Sequence, residues 1–213
     1  MKNIYKVLIH TFLIPFLLGE NIDLSQEWEI DENYQYSDDL ENIISDNISD
    51  LPNMKGFIVI QSGKIISENY YNGSSLNDVY NIYSVTKSFV STLIGQMHSM
   101  NMIPDPDSSM SYFFPDSFSN QVSYLTEYTL KNALTMSTGY AEDYPYFGWD
   151  YVNTVDLLTM NYTSPGTFFY NNSACHINSH VIFYNSGFTP YHFASNYLFP
   201  FLDIDNPWWF YGN

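Results

Sequence analysis

The stretch Tyr80–Met97, "YNIYSVTKSFVSTLIGQM", decides how the rest of the chain is read. From Val85 onward its apolar residues Val85, Phe89, Val90, Leu93, Ile94 and Met97 recur three or four apart, the period of a helix that buries one face. The spacing predicts a helix from about Ser84 to "HSMNMIPD", with Ser84 at its N-terminus and Lys87 one turn on along the same side. A serine hydroxyl is a weak nucleophile until a neighbour takes its proton, and a lysine within reach can do so. The helix N-terminus adds partial positive charge beside any oxyanion that forms at Ser84. The same residues also fit an N-cap serine followed by a solvated lysine. Ser-x-x-Lys is short enough to arise by accident, so the surrounding sequence has to decide.

Upstream, "GFIVIQSGKIISENYYNG" (56–73) places two β-rich runs around Gln61-Ser62-Gly63-Lys64 and predicts a hairpin with Gly63 at the turn. A lone hairpin is marginal in water, so this one requires more strands or a helix against it. Glu20 to Asp50 holds eleven acidic residues and no lysine, with Leu40, Ile43, Ile44 and Ile48 at helical spacing. That pattern predicts a solvated leader and an amphipathic helix from near Ser37. Downstream, "YTLKNALTMSTGY" reads as a short helix with Thr129 near its start and Gly139 as its stop. "SPGTFFYNNSACHINSHVIFYNSG" reads as a turn, an extended piece, and a helix from about Asn172 to Tyr184 closed by Gly187. A last helix precedes an aromatic end, Trp208 to Tyr211, which reads as exposed and prone to association.

Taken with the hairpin before it and "YFFPDSF" (112–118) after it, the opening stretch resembles the serine β-lactamase and penicillin-binding-protein superfamily, whose nucleophile motif is Ser-x-x-Lys. It is most like the branch holding class C β-lactamases and their related esterases, carboxypeptidases and amide hydrolases. "LTMSTGY" (134–140), "SPGTFFYNN" (164–172) and "NSGFTPYHFASNYLFPFLDI" (185–204) are similar to family segments in the same order. The resemblance implies an α+β fold, an antiparallel sheet flanked by helices plus a helical subdomain. It also implies a serine hydrolase that cleaves an ester or amide through an acyl-enzyme on Ser84. By resemblance Tyr170-Asn171-Asn172 is the family's Tyr-x-Asn, with Tyr170 sharing the proton relay with Lys87 and Asn172 holding the substrate carbonyl side. Tyr170 as a half-buried core aromatic and Asn172 as a helix N-cap are the alternatives.

The family's third motif, Lys-Thr-Gly or His-x-Gly, is absent: no lysine follows Lys131, and glycine stands two residues after none of His176, His180 and His192. The resemblance runs from about Lys55 to Trp209 and corresponds to the first part of the family domain. It implies a chain truncated before the C-terminal strands, with a native polypeptide that continues beyond Asn213. An inactive homologue serving as a binding or interaction module is the alternative function.

The chain has 213 residues, 23 acidic and six basic, all six of them lysine, for a formal charge of −17. That field repels phosphate backbones, so no nucleic-acid partner is expected. A small-molecule ester, amide or peptide substrate is expected instead. Without arginine there is no planar fork to grip a carboxylate. Residues 1–19 carry Lys2, Lys6 and an apolar run from Val7 to Leu18, which reads as a signal peptide of a secreted or periplasmic protein, or as a retained anchoring segment. No transmembrane span is expected in the mature chain. Residues 20–54 are then leader and first helix, and 55–213 the hydrolase-like part. Asn47, Asn72, Asn161 and Asn171 fit Asn-x-Ser/Thr. The lone Cys175 reads as a small buried residue. His176 and His180, four apart beside Cys175, could clamp a metal, but no third ligand is evident, and a polar helix face is the favoured reading. No cofactor is expected.

Overall fold

A computed structural model of the chain describes residues 28–48, 50–119, 122–141 and 158–204, together with Pro207 and Trp209. The signal-like residues 1–19, the start of the acidic leader, and Trp208, Phe210 and Tyr211 lie outside the described residues. Backbone contacts divide the chain into Met1–Asn81 and Ile82–Asn213. Among the described residues no helix is long and apolar enough to cross a membrane.

In the first unit helix α1 (Ser37–Asn47) begins where the apolar spacing places it and buries Ile44. Asp38 and Asp39 in its first turn face the positive end of the helix dipole. Strands β1 (Gly56–Gln61) and β2 (Lys64–Tyr70) pair antiparallel, with a register irregularity between Val59 and Ile60. Ser62 and Gly63 make the two-residue turn with φ of 51° and 79°. Both are left-handed, which matches the twist of a hairpin. The hairpin finds its partners locally. On one face Glu41 of α1 accepts hydrogen bonds from Ser67 (2.7 Å) and Asn69 (3.2 Å). Along the edge of β2, Ile65 exchanges backbone bonds with Glu29 and Asp31, and Lys64 pairs with Glu29 at 2.6 Å.

The second unit is mainly helical. A 3₁₀ turn, Tyr83–Val85, leads into α2 (Thr86–Ser99), so the regular helix starts two residues later than the spacing predicts and Ser84 lies within the tighter turn. Then come a 3₁₀ turn at Met110–Phe113, the short α3 (Asp116–Ser119), a second 3₁₀ turn at Ser123–Thr126, α4 (Leu130–Leu134), α5 (Asn172–Ser186) and α6 (Pro190–Tyr197). α2 presents Val90, Leu93, Ile94 and Met97 to α5 and α6, which answer with Ala174, Ile177, Val181, Phe193 and Ala194. Each such large apolar side chain contributes about 1.5–3 kcal/mol on burial. The ends of α5 are fixed by its own sequence. Asn171 accepts from the Ala174 amide at 2.7 Å, and Gly187 closes the helix at φ 75°. For α6, Thr189 caps and Pro190 opens the helix, as a residue without an amide hydrogen can.

Two sequence expectations are corrected here. Gly139 is not the stop of α4. That helix ends at Leu134, and Met136 takes the left-handed turn at φ 51°. Gly139 lies beyond, at φ 87°, because a side chain there would strike the Thr163 carbonyl oxygen and come within 2.6 Å of the Tyr124 hydroxyl. Gly139→Ala is therefore expected to destabilise the second unit by about 2–4 kcal/mol, read as a lower urea midpoint. An unchanged midpoint would refute this account of the glycine. The aromatic end is not uniformly exposed either: Trp209 packs against the core beside Phe199, ring centres 6.3 Å apart.

Candidate active site

Three of the four residues singled out in the sequence meet within the second unit. Lys87, on the first turn of α2, donates a hydrogen bond from Nζ to Ser84 Oγ at 3.0 Å. Ser84 Oγ lies 2.8 Å from the Tyr170 hydroxyl, 86 residues further along the chain. Lys87 donates to Ser84, and between Ser84 Oγ and the Tyr170 hydroxyl either oxygen can be the donor, since a hydroxyl carries one hydrogen and two lone pairs. The three side chains thus form one hydrogen-bonded chain, Lys87–Ser84–Tyr170, along which a proton can pass between the serine and the phenol. The Lys87 Nζ also stands 5.3 Å from the centre of the Tyr170 ring.

Electrostatics separate Tyr170 from Tyr70, Tyr124, Tyr128 and Tyr140. Burial pushes Tyr124 up to about 12 and raises Tyr128 and Tyr140, and Tyr70 is raised by its hydrogen bond to Glu68. Tyr170 moves the other way. Its hydrogen bond with Ser84, then that with Lys87 and the lysine charge, hold it below the ordinary tyrosine value. Tyr170 is half exposed, with 49% of its surface open, and Ser84 is exposed beside it. The site is a surface one on this chain.

Asn172 stands two residues after Tyr170 as the first residue of α5, half-buried. The N-cap role that its sequence also allows falls to Asn171, which is 1% exposed. That burial also makes Asn171 a poor glycosylation acceptor, since the glycan must attach at the surface.

What the sequence did not reveal is how Tyr170 is held. The segment 163–169 is tied by its backbone to the turn after α4. Thr163 N donates to Gly139 O (2.6 Å), Gly166 N to Ser137 O (2.8 Å), and Phe169 N to Met136 O (2.9 Å). Tyr124 anchors the same segment, donating to Thr163 O at 2.7 Å and stacking on Tyr162 with centres 3.4 Å apart. "LTMSTGY" therefore serves as a backbone brace, and the one signal of it in the sequence was its glycine. A second unforeseen feature is Tyr83, which precedes Ser84 at φ 44°, a conformation costly for a non-glycine residue and frequent at functional sites.

The two α5 histidines form no metal group with a third side chain: among the described residues no three of His, Cys, Asp and Glu gather as ligands. His180 does not lie on a solvated face, and His176 is half-buried. His180 is 8% exposed, and its ring meets that of His176 edge to face at 5.1 Å. Burial, then the neighbouring His176, lowers His180 from 6.5 to about 3, and burial lowers His176 as well. The unfolded chain thus binds protons that the folded chain refuses. Stability present above pH 6.5 is expected to fall as pH drops toward 3, with a slope of up to about 1.4 kcal/mol per pH unit from His180. A His180 ring-proton NMR signal that titrates near pH 6.5 in the folded protein would contradict this. Cys175, the one cysteine of the sequence, is half-buried rather than sealed in the core.

No family model matches the sequence, and no curated protein matches it. Solved structures do. The chain has an α+β fold of the β-lactamase-like kind, with a small antiparallel sheet and helices. Among the matches is a putative 6-aminohexanoate-dimer hydrolase from Bacillus anthracis, at 18% identity and a TM-score of 0.53. The match covers 74% of this chain and 45% of that one, so the chain spans about half the length of the structure it resembles.

Proposed function

We propose that the chain is a serine hydrolase that opens an ester or amide through an acyl-enzyme on Ser84. The observation that carries this reading is the hydrogen-bonded chain Lys87–Ser84–Tyr170, closed between residues 86 apart. Its fold likeness to a protein described as a hydrolase supports it. Tyr170, biased toward its phenolate, takes the Ser84 proton as Oγ bonds the substrate carbonyl carbon. The tetrahedral oxyanion forms at the N-terminal end of α2, where the helix dipole favours negative charge. As the carbonyl re-forms, the bond to the leaving group breaks and Tyr170 returns the proton to that group. Water, deprotonated by the same phenolate, then attacks the acyl carbonyl; as that intermediate collapses the acyl–Oγ bond breaks, Tyr170 returns the proton to Ser84 and the acid leaves. In this reading the Lys87 ammonium keeps Tyr170 acidic and orients the serine, while Asn172 holds the substrate carbonyl side. Export, to a periplasm or out of the cell, goes with the basic and apolar runs of residues 1–19.

The test is covalent labelling of the folded, full-length protein with a neutral alkyl fluorophosphonate, followed by peptide mass spectrometry. An adduct on Ser84 is expected. No adduct, or one on another serine, would end this assignment.

A further inference from the structure

The seam that holds the Tyr170 segment is fastened by a side chain. Tyr124 stands, buried, on the 3₁₀ turn Ser123–Thr126. Its hydroxyl donates to two carbonyl oxygens, Thr138 O in the turn after α4 and Thr163 O, at 2.7 Å, in the segment that leads to Tyr170. A phenol carries one hydrogen, so the two carbonyls share it. Take that hydrogen away and two oxygens of like partial charge face each other across the seam. The ring is held in turn: it stacks on Tyr162 and lies against Tyr128 and Tyr140, with centres 5.2 and 5.8 Å away. Burial, then the neighbouring Tyr162 and Glu127, raises Tyr124 to about 12, whereas Tyr170 is lowered. The Tyr124 hydroxyl therefore keeps its hydrogen, and goes on donating, over the range in which Tyr170 loses its own.

Resting on the hydrolase reading for its purpose, we infer that Tyr124 is a positioning residue of the site: by joining Thr138 to Thr163, its hydroxyl keeps Tyr170 within hydrogen-bond reach of Ser84. The effect is transmitted along the backbone. From Thr163 the chain passes two further ties to the same turn, Gly166 N to Ser137 O and Phe169 N to Met136 O, before it reaches Tyr170. Proton transfer is steep in distance, so a slackened seam lowers the share of molecules in which Ser84 and Tyr170 are bonded. It also changes the phenol itself. Ser84 and Lys87 hold Tyr170 low against the opposing effects of burial and Cys175, and a Tyr170 that has left Ser84 titrates closer to an ordinary tyrosine.

Tyr124→Phe removes one oxygen and keeps the ring. In the full-length protein carrying ¹³C at the tyrosine ζ carbons, with the Tyr170 signal assigned by its loss in Tyr170→Phe, the Tyr170 titration midpoint should move up in Tyr124→Phe. The amides of Thr163, Gly166 and Phe169 should exchange at least about tenfold faster, and those of Val181 and Ile182 in the buried middle of α5 should not. Labelling of Ser84 by the neutral alkyl fluorophosphonate should slow about ten- to a hundredfold. Tyr128→Phe is the control. Tyr128 belongs to the same buried ring cluster but bonds the Tyr140 hydroxyl, at 3.2 Å, so this variant should lower the urea midpoint and leave the Tyr170 titration and the labelling rate unchanged. An unmoved Tyr170 midpoint in Tyr124→Phe overturns the inference, whatever the amides do. An equal shift in Tyr128→Phe overturns it too, by showing a general loosening. Should Tyr124→Phe fail to fold where Tyr128→Phe folds, the hydroxyl is a requirement of the whole unit and the local role falls. Absence of any Ser84 adduct in the wild type would sink the hydrolase reading separately, and the Tyr170 titration would still decide whether Tyr124 holds Tyr170 in place.

Discussion

Ser84→Ala is expected to abolish covalent labelling by serine-directed probes and to lower ester hydrolysis by at least about a thousandfold, as removal of a nucleophile does elsewhere. The expectation follows from position. Ser84 Oγ is hydrogen-bonded to both Lys87 Nζ and the Tyr170 hydroxyl. Alanine removes that atom and little else, because Ser84 lies on an exposed 3₁₀ turn and fills no core space. The urea midpoint should therefore stay put while the rate collapses. A variant that retains turnover would show that the hydroxyl is a structural bridge and that the chemistry lies elsewhere.

Tyr170→Phe and Lys87→Met are expected to differ in kind, and the difference identifies the base. Tyr170→Phe deletes the hydroxyl proposed to accept the serine proton and should cost roughly 10²–10⁴ in acylation rate at every pH. Lys87→Met leaves the acceptor but removes the hydrogen bond and charge that hold Tyr170 below its ordinary value. The sign follows directly: the phenol's pKa rises, less phenolate is present near neutrality, and the ascending, acid-side limb of the acylation profile moves to higher pH. Activity of Lys87→Met should thus recover partly as pH rises, whereas that of Tyr170→Phe should not. Stopped-flow acylation from pH 6 to about 10 separates the two. A Lys87→Met profile with the midpoint of the wild type would show that Lys87 does not tune the base and overturn the role given to it; a lost rate that no rise in pH restores, equal to that of Tyr170→Phe, would count against Tyr170 as the base.

The helices were legible because their apolar period is clean. Leu40 to Ile48 and Val85 to Met97 place α1 and α2 to within a residue or two, and Gly187 marks the end of α5 by its own capping chemistry, while the N-cap falls to Asn171 and not to Asn172 as the sequence reading allowed. Ser84 and Lys87 could be paired because three residues along a helix is a local distance. Tyr170 could be paired with them by resemblance but not by spacing, since its approach to Ser84 depends on backbone contacts between 136–139 and 163–169. Those contacts use carbonyls and amides that every residue carries, so they leave almost no compositional trace. Gly139 is the exception, and even it was assigned to the wrong job. The buried state of His180 was equally hidden, because a histidine between apolar neighbours on a helix fits a wet face or a packed one until the partner elements are known.

The brace has a dynamic meaning as well. The amide hydrogens of Thr163, Gly166 and Phe169 are the three that tie the Tyr170 segment to the turn after α4. Each can exchange with solvent deuterium only when its own bond opens, and the three open together if the segment lifts as a unit. Their exchange rates consequently act as a clock on the site: the shared opening of these three amides counts how often the segment that carries Tyr170 lifts from the turn after α4, in a protein at rest and with no substrate present.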